Sequence, residues 1–140
     1  MGPQKLMTYS TEKNINPEKI DNLFNSIGWE PRGQDKWIEI LLKSNFVFSV
    51  WDDQILIGFG RIVEDGVMCM FYDVCVHKDY QNRGIGTKIM ETLIDQVKDK
   101  QYTSIGLFVS EDNLSVANFY EKFGFRNINN GMELIKYMII

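Results

Sequence analysis

The segment that most restricts the fold is the passage from an apolar strand pattern into an amphipathic helix. Val67–Val76 is rich in apolar and β-branched residues and predicts a strand. A polar stretch follows, after which Gly84 and Gly86 open a run with apolar residues at every fourth position, namely Ile85, Ile89, Leu93 and Val97. This spacing predicts a long helix. The chain therefore contains a strand, a tight glycine-containing loop and a helix in immediate succession.

The loop has the composition of an anion-binding turn. The first N–H groups of a helix have no acceptor within the helix, and the helix dipole favours negative charge there. Gly84 and Gly86 let the backbone approach a phosphate without a Cβ, while Arg83 and Thr87 supply a guanidinium and a hydroxyl. Position 89 is Ile, so Gly-x-Gly-x-x-Gly is incomplete, and the absence of Gly-Lys-Ser/Thr at P-loop spacing excludes a P-loop.

Patterns elsewhere in the chain predict further strands and helices. Strands are expected at Lys5–Ser10, Phe46–Trp51, Ile55–Val63, Val67–Val76, Ser104–Val109 and Met132–Ile140. Helices are expected from Pro17 to the stop at Gly28, and at Asp35–Lys43, Ile85–Val97 and Ser115–Phe123. Three successive strands with short turns pair antiparallel. The predicted fold class is therefore α+β, with a mixed, mostly antiparallel central sheet and helices on both faces.

Length and charge limit the number of domains and the kinds of partner. A chain of 140 residues and 16.3 kDa is expected to form one domain, residues 1–140. The net charge of −4 and a pI near 5.0 argue against broad nucleic-acid binding. No apolar run approaches the roughly 20 residues of a membrane helix, and the first ten residues lack a signal-peptide core. We expect no nucleic-acid partner and no membrane association.

The cysteines indicate a reducing compartment. Cys69 and Cys75 fall on one predicted strand. Their separation is on the order of 20 Å, beyond disulfide reach. Free thiols are typical of cytoplasmic proteins, so a cytoplasmic location is expected. One histidine and two distant cysteines do not make a zinc site, and no metal is expected.

Two motifs together resemble one enzyme family. The first is Gln81-x-x-Gly84-x-Gly86 at the strand-to-helix junction, and the second is Asn-Leu-Ser-Val-Ala-Asn-Phe-Tyr-Glu-Lys-Phe-Gly-Phe over residues 113–125. Both resemble the GCN5-related N-acetyltransferase (GNAT) superfamily, whose junction signature is Gln/Arg-x-x-Gly-x-Gly/Ala and whose later helix carries Asn, Tyr and a terminal Gly-Phe. The clear resemblance runs from about Phe71 to Phe125. The run Asp-Val-x-Val-His-x-Asp-Tyr-Gln is similar to that of short bacterial members.

The resemblance implies an acyl-CoA N-acyltransferase fold, acetyl-coenzyme A (acetyl-CoA) as donor co-substrate, and a primary amine of a small molecule or peptide as acceptor. Backbone groups of Val74, Cys75 and Val76 would bind the pantetheine arm. Asn113 and Tyr120 would lie beside the pantetheine and the thioester. The pyrophosphate would be held by Gln81, Asn82, Arg83, Gly84, Ile85, Gly86 and Thr87. A homodimer is common among relatives and is an expectation here.

The resemblance also implies direct transfer, in which the amine attacks the thioester and coenzyme A leaves as a thiolate. The N–H of Val74 or of a neighbouring residue on the strand is the predicted oxyanion donor, and Tyr120 is the predicted general acid. Some polyamine-acetylating relatives carry Glu-Asp where this chain has Tyr72-Asp73. Strand alternation places Asp73 on the face opposite Tyr72 unless a bulge intervenes. The general base is therefore open. Tyr72, Asp73 and ordered water are candidates, and Glu64 and Glu111 are others that their positions do not support.

Several alternatives remain at this point. The chain could be a non-catalytic acyl-CoA-binding or sensing module, or a phosphate-binding regulator that uses the same loop. Tyr120 could be a core tyrosine, and Asp73 could anchor a loop instead of titrating. The acceptor is not identified by any motif. In this fold the first helices and the loop around residues 28–36 would select it.

Overall fold

The computed structural model describes residues 7–109, 114–128 and 131–137. Among these residues the strands are β1 (Thr8–Ser10), β2 (Phe46–Asp52), β3 (Ile55–Glu64), β4 (Met68–Val76) and β5 (Ser104–Gly106). They form one sheet in the order β1-β2-β3-β4-β5. Neighbours pair antiparallel from β1 to β4, and β5 pairs parallel to β4. The mixed, mostly antiparallel sheet predicted from the sequence is confirmed.

The helices begin and end where local chemistry favours it. They are α1 (Pro17–Ser26), α2 (Gln34–Lys43), α3 (Ile85–Val97) and α4 (Leu114–Glu121). Short 3-10 turns lie at Lys78–Tyr80 and Ile135–Tyr137. The side chain of Asn16 accepts a hydrogen bond from the Glu18 N–H at 3.0 Å, which caps α1. Gly28 follows α1 with a φ of 78°, as expected of the glycine that ends the helix.

The sheet is covered on both faces. Helices α1 and α2 pack against one face, where Phe24 and Trp37 meet Phe59 of β3. Helix α3 covers the other face, against Gly58 and Gly60 of the same strand. Phe59 lies between these two glycines in sequence, and alternation along a strand places it on the opposite face. Both halves of the core are therefore organised around β3.

The chain divides into two compact units, Met1–Leu107 and Phe108–Ile140. The first contains the sheet and helices α1 to α3, and the second contains α4. The single-domain organisation of residues 1–140 stays a prediction. Within the described ranges, no helix has both the length and the apolar character needed to cross a bilayer.

Three predicted strands differ from the structure. The strand expected at Lys5–Ser10 begins at Thr8, and residues 5–6 lie outside the described residues. The strand expected at Ser104–Val109 ends at Gly106, because its pairing with β4 stops at Met70. The strand expected at Met132–Ile140 is wrong for its described part, since residues 131–134 are irregular and a 3-10 turn follows; residues 138–140 lie outside the described residues. Apolar composition favours a strand only where a partner strand is present. The described part of the second unit contains none.

Candidate functional site

Strand β4 leads directly into a turn that ends at the N-terminus of α3. The ring nitrogen Nδ1 of His77 accepts the N–H of Asp79 at 3.1 Å and so starts the 3-10 turn Lys78–Tyr80. The backbone is left-handed at Asn82, with a φ of 64°, and at Gly84, with a φ of 82°. These two left-handed residues turn the chain from the end of the strand into α3. We call residues 81–87 the cradle.

The cradle presents backbone N–H groups without a competing acid. The first amides of α3 have no acceptor within the helix, no side chain caps the helix, and its first turn contains no acidic residue. A Cβ at Gly84 would have no atom within 4 Å, so the glycine is required by its positive φ and not by crowding. The open space and the free helix dipole make this end of α3 suitable for a phosphate group.

Side-chain contacts hold the cradle in place. The hydroxyl of Tyr80 donates a hydrogen bond to Oδ2 of Asp52 at the end of β2. Nε2 of Gln81 donates to the carbonyl of Val76 at 3.2 Å. The guanidinium of Arg83 lies over the Tyr80 ring, 5.2 Å from its centroid. Arg83 is exposed, so its donors face solvent where an anion would bind.

Two glycines of β3 set the position of α3. A Cβ at Gly58 would lie 2.9 Å from Cγ2 of Ile85, and one at Gly60 would lie 2.9 Å from Cγ2 of Ile89. Real Cβ atoms do not approach carbon so closely, so α3 can lie at this depth only over glycine. Ile85 is the first residue of α3, and the glycines therefore fix the end of the helix that belongs to the cradle.

A β-bulge interrupts β4 shortly before the cradle. Arg61 pairs with Tyr72 and Phe59 pairs with Cys75, so Gly60 alone faces both Asp73 and Val74. Two residues against one is the definition of a bulge, and Asp73 has a positive φ of 58°. The alternation that would place Asp73 on the face opposite Tyr72 is thus broken, as the sequence analysis allowed.

The bulge brings Tyr72 and Asp73 onto one arginine. Nε of Arg61 donates to Oδ2 of Asp73 at 2.7 Å, and the same guanidinium lies over the Tyr72 ring at 4.8 Å from its centroid. Arg32 lies in the segment between α1 and α2. Its Nη1 donates a hydrogen bond to Oδ2 of Asp73 at 2.6 Å, and its Nη2 donates one to Oδ1 at 2.8 Å. We call Asp73, Arg32 and Arg61 the bulge network.

Burial and the bulge network shift the pKa values of Asp73 and Cys75 in opposite directions. Burial alone raises the pKa of Asp73, but the hydrogen bonds from Arg32 and Arg61 outweigh it, so that the pKa lies below its ordinary value of 3.8. The carboxylate is ionised and fully engaged, which favours an anchoring role over a general base. Burial raises the pKa of the Cys75 thiol well above its ordinary value of 9.0, and the Asp73 charge adds to this. Cys75 is therefore a poor nucleophile.

The second unit contains the predicted general acid. Tyr120 lies on α4, with its ring centroid 5.3 Å from that of Phe119 and 6.1 Å from that of Phe125, both edge-on. These contacts are compatible with the core-tyrosine interpretation, and the catalytic role of Tyr120 stays a prediction. Asn113, the other residue predicted from this motif, lies outside the described residues.

Sequence reasoning placed the cradle and the strand before it, but missed several residues that support them. These are Arg32, Asp52, Gly58, Gly60 and Arg61. Glycines alternating within an apolar strand were a usable signal, because they mark close approach of a helix or ligand. An arginine in the same apolar run was a second signal, since a buried charge requires a partner.

The fold and the site together define an acetyltransferase class. A mostly antiparallel sheet with helices on both faces, a bulged strand and a helix N-terminus directly after it form the framework of acyl-CoA N-acyltransferases. Residues 15–125 match the Acetyltransferase (GNAT) family, and the chain belongs to this family. It is an N-acetyltransferase.

The relatives agree with this assignment. The uncharacterised N-acetyltransferase ycf52 of Pyropia yezoensis is 33% identical over 130 residues, covering 89% of this chain and 72% of the relative. The chloroplastic GCN5-related N-acetyltransferase 1 of Arabidopsis thaliana is 28% identical over 128 residues, covering 88% of this chain and 62% of the relative. Both are named as enzymes, which favours an enzyme over a non-catalytic binding module.

Solved structures show the same fold. A protein of Staphylococcus aureus described as a probable acetyltransferase has a TM-score of 0.82 and 25% identity, covering 94% of this chain and 100% of that one. The ribosomal-protein-S18-alanine N-acetyltransferase of Escherichia coli has a TM-score of 0.76 and 18% identity, covering 89% of this chain and 80% of that one. At 18% identity the second likeness concerns the fold alone.

Proposed function

We propose that the protein transfers an acetyl group from acetyl-CoA directly to a primary amine of a small molecule or peptide. The observation that carries the proposal is the continuity of β4, from its bulge at Asp73-Val74 to a cradle whose helix N-terminus has no acidic residue and no side-chain cap. Such a strand and cradle offer backbone groups to an extended arm and then to its pyrophosphate. Acetyl-CoA has this sequence of groups.

The proposed binding mode assigns the described residues in order along the chain. Val74, Cys75 and Val76 contribute backbone hydrogen bonds to the pantetheine arm. Residues 81–87 receive the pyrophosphate, mainly through N–H groups, with Arg83 as the charged donor. Asn113 is proposed to lie beside the pantetheine, as the family resemblance implies. The exposed guanidinium of Arg83 and the open space at Gly84 support this fit.

The proposed chemistry is one displacement at the thioester carbon. The amine nitrogen forms a bond to the carbonyl carbon, and the oxyanion that develops is stabilised by the N–H of Val74. The carbon–sulfur bond then breaks, and Tyr120 donates a proton to the departing thiolate. The proton of the attacking amine passes to water, either directly or by relay through the Tyr72 hydroxyl. The hydrogen bonds from Arg32 and Arg61 argue against Asp73 as this base.

Thermal melting with acetyl-CoA, coenzyme A and ADP tests the binding step. A ligand at about 100 times its Kd adds roughly 2.7 kcal/mol to the free energy of unfolding, which raises Tm by several degrees. We expect acetyl-CoA and coenzyme A to stabilise more than ADP, because only they place a pantetheine arm along β4. Equal shifts with all three would indicate a phosphate site alone, and no shift at millimolar ligand would contradict the proposal.

Release of coenzyme A thiol then tests the transfer step. The acceptors are a small alkylamine, an amino-acid amide, a polyamine and a short peptide with a free N-terminus. Transfer to one or more of them supports the proposal, and binding of acetyl-CoA without any amine-dependent release contradicts it. With an active acceptor, Tyr120→Phe is expected to lower kcat about 100-fold or more with acetyl-CoA binding retained. Unchanged kcat would remove Tyr120 from the mechanism.

We further propose that the enzyme acts in the cytoplasm, as a homodimer, without nucleic-acid or membrane partners. The buried free thiols of Cys69 and Cys75 and the net charge of −4 support the compartment and the absence of nucleic acid. The homodimer rests on the family resemblance. Light scattering tests it, since a mass near 16.3 kDa instead of twice that value would contradict it.

A further inference from the structure

The bulge network connects two parts of the first unit that are distant in sequence. Asp73 belongs to the bulge of β4, and Arg32 belongs to residues 27–33, which join α1 to α2 and which we call the α1–α2 loop. Both carboxylate oxygens of Asp73 bind the two Nη atoms of Arg32. A paired fork of this kind fixes direction as well as distance. The loop is thus held against the strand residue that precedes Val74.

The α1–α2 loop has one defined conformation at Arg32. The carboxylate of Asp21 accepts the N–H of Arg32 and the N–H of Gly33, each at 2.9 Å, and also the indole N–H of Trp37 at 2.7 Å. The Arg32 guanidinium lies over the ring of Trp37 at 4.9 Å from its centroid. Asp21 therefore shapes the loop locally, whereas Asp73 and the aromatic ring hold the guanidinium that joins this loop to β4.

Burial shows which end of the network is anchored. The side chain of Asp73 is 8% exposed and that of Arg61 is 13% exposed, whereas that of Arg32 is 34% exposed. Asp73 and Arg61 form the buried base, and Arg32 carries the contact outward to the loop surface. The network consequently determines where the loop surface lies relative to Val74.

We propose that Asp73 is a positioning residue for the acceptor amine, because it holds the α1–α2 loop against the bulge where the thioester is attacked. The proposal rests on the proposed function, which places the thioester at Val74. Asp73 acts through Arg32 and Arg61 and does not exchange a proton with the substrate. It deepens the proposed function by separating the residues that place the amine from those that hold the cofactor.

The structure provides separate supports for the cofactor side. The cradle is held by the Tyr80–Asp52 hydrogen bond and by the contact of α3 with Gly58 and Gly60. None of these contacts includes Asp73 or Arg32. Loss of the bulge network is therefore expected to affect the acceptor kinetics and to spare acetyl-CoA binding.

The variant Asp73→Asn tests this in the full chain. Asparagine accepts a positive φ as aspartate does, so the backbone of the bulge is retained while the charge is lost. The matched control is Asp53→Asn, at an exposed turn position with a φ of 53° and no role in the proposed site. We expect KM for the amine found in the acceptor panel to rise about tenfold, because small misplacement of a reactant costs up to about 100-fold. KM for acetyl-CoA stays unchanged, and the control matches wild type.

Two further measurements complement this test. The first uses a variant other than Asp73→Asn, and the second needs no activity. Arg32→Gln removes the fork from the partly exposed side and is expected to raise KM for the amine similarly, with partial rescue by Arg32→Lys, which keeps the charge but not the paired geometry. Amide hydrogen exchange of residues 27–33 is expected to be faster in Asp73→Asn than in Asp53→Asn, with the exchange of α3 unchanged.

Wild-type KM for the amine in both Asp73→Asn and Arg32→Gln overturns the proposal. A loss of acetyl-CoA binding together with amine binding also overturns it, because the network would then be structural only. If the wild type binds acetyl-CoA but acetylates no amine, the proposed function fails. Amide hydrogen exchange then tests only whether Asp73 holds the α1–α2 loop. Wild-type exchange of residues 27–33 in Asp73→Asn then refutes the positioning role.

Discussion

The cradle and the bulge network both lie near the end of β4, but one is formed by the backbone and the other by charged side chains. The cradle consists of neighbouring residues, and its shape follows from backbone conformation at Asn82 and Gly84. The bulge network consists of side chains far apart in sequence, and Asp73 follows Arg32 by 41 positions. One depends on positive φ values and free N–H groups, and the other on three charges packed together.

This difference determines how each region responds to change. A backbone site loses function when its φ values or the position of its helix are altered. A network of buried charges loses stability when one partner is removed, because the remaining charges are left without compensation. Substitutions of each type therefore separate the two regions.

The largest expected effect is on the stability of the bulge network. Asp73→Asn leaves Arg61 buried without its counter-charge, and we expect the free energy of unfolding at pH 7 to fall by about 3 kcal/mol. Because the pKa of Asp73 is lowered in the folded protein, its contribution is present above the ordinary value of 3.8 and is lost as the pH falls through the lower folded value.

Urea unfolding from pH 3 to pH 8 measures this contribution as the difference between wild type and Asp73→Asn. The difference should be constant above about pH 5 and shrink at the acidic end, because the unfolded wild type takes up a proton at Asp73 more readily than the folded wild type. The variant has no carboxylate at this position. Asp53→Asn should lie near the wild type throughout. A difference of equal size at pH 3 and pH 7 would show that the stabilisation does not come from the Asp73 charge.

A smaller effect is expected where α3 packs on the sheet. Gly60→Ala places a Cβ 2.9 Å from Cγ2 of Ile89 and 3.2 Å from Cδ1 of Leu93, and we expect a loss of about 2 kcal/mol from overpacking. The displaced helix should also weaken acetyl-CoA binding. Gly106→Ala is the matched control, because its Cβ would meet the flexible Met70 sulfur at 3.3 Å. Calorimetric titration with acetyl-CoA compares the affinities of the two variants, and equal affinities would contradict this account.

The smallest effect is expected within the cradle. Gly84→Ala forces an L-residue to a φ of 82° in open space, which costs about 1 kcal/mol. Gly84→Asn should cost roughly half as much, because asparagine tolerates the left-handed region. Melting temperatures with and without acetyl-CoA measure both the cost and the retained binding. Equal losses for alanine and asparagine would point to a steric cause instead of a conformational one.

Local patterns predicted the parts of the molecule that local physics determines. The helix starts at Pro17 and Ile85, the central antiparallel strands and the glycine turn all follow from periodicity, capping or φ preference, and the structure confirms them. The strand expected at Met132–Ile140 is wrong in its described part because a strand requires a partner, and apolar composition does not specify one.

The candidate site divides in the same way. The turn at residues 81–87 was predictable, because its shape follows from local glycine preference and from the start of α3. The partners of Asp73 were not predictable from one sequence, since Arg32 and Arg61 approach it only through the loop and the sheet register. Strand alternation showed that Asp73 could lie on the same side as Tyr72 only if β4 contained a bulge. No residue type in β4 revealed that the bulge is present.

The bulge also has a consequence for the length of β4. Removal of one residue from Asp73-Val74 would leave a single residue opposite Gly60, with Tyr72 still across from Arg61 and Cys75 still across from Phe59. The ladder would then be regular, and the side chains paired on either side would keep their faces. The extra residue thus behaves as an insertion that preserves the strand pairing on either side, and it lies where Asp73 meets the two arginines.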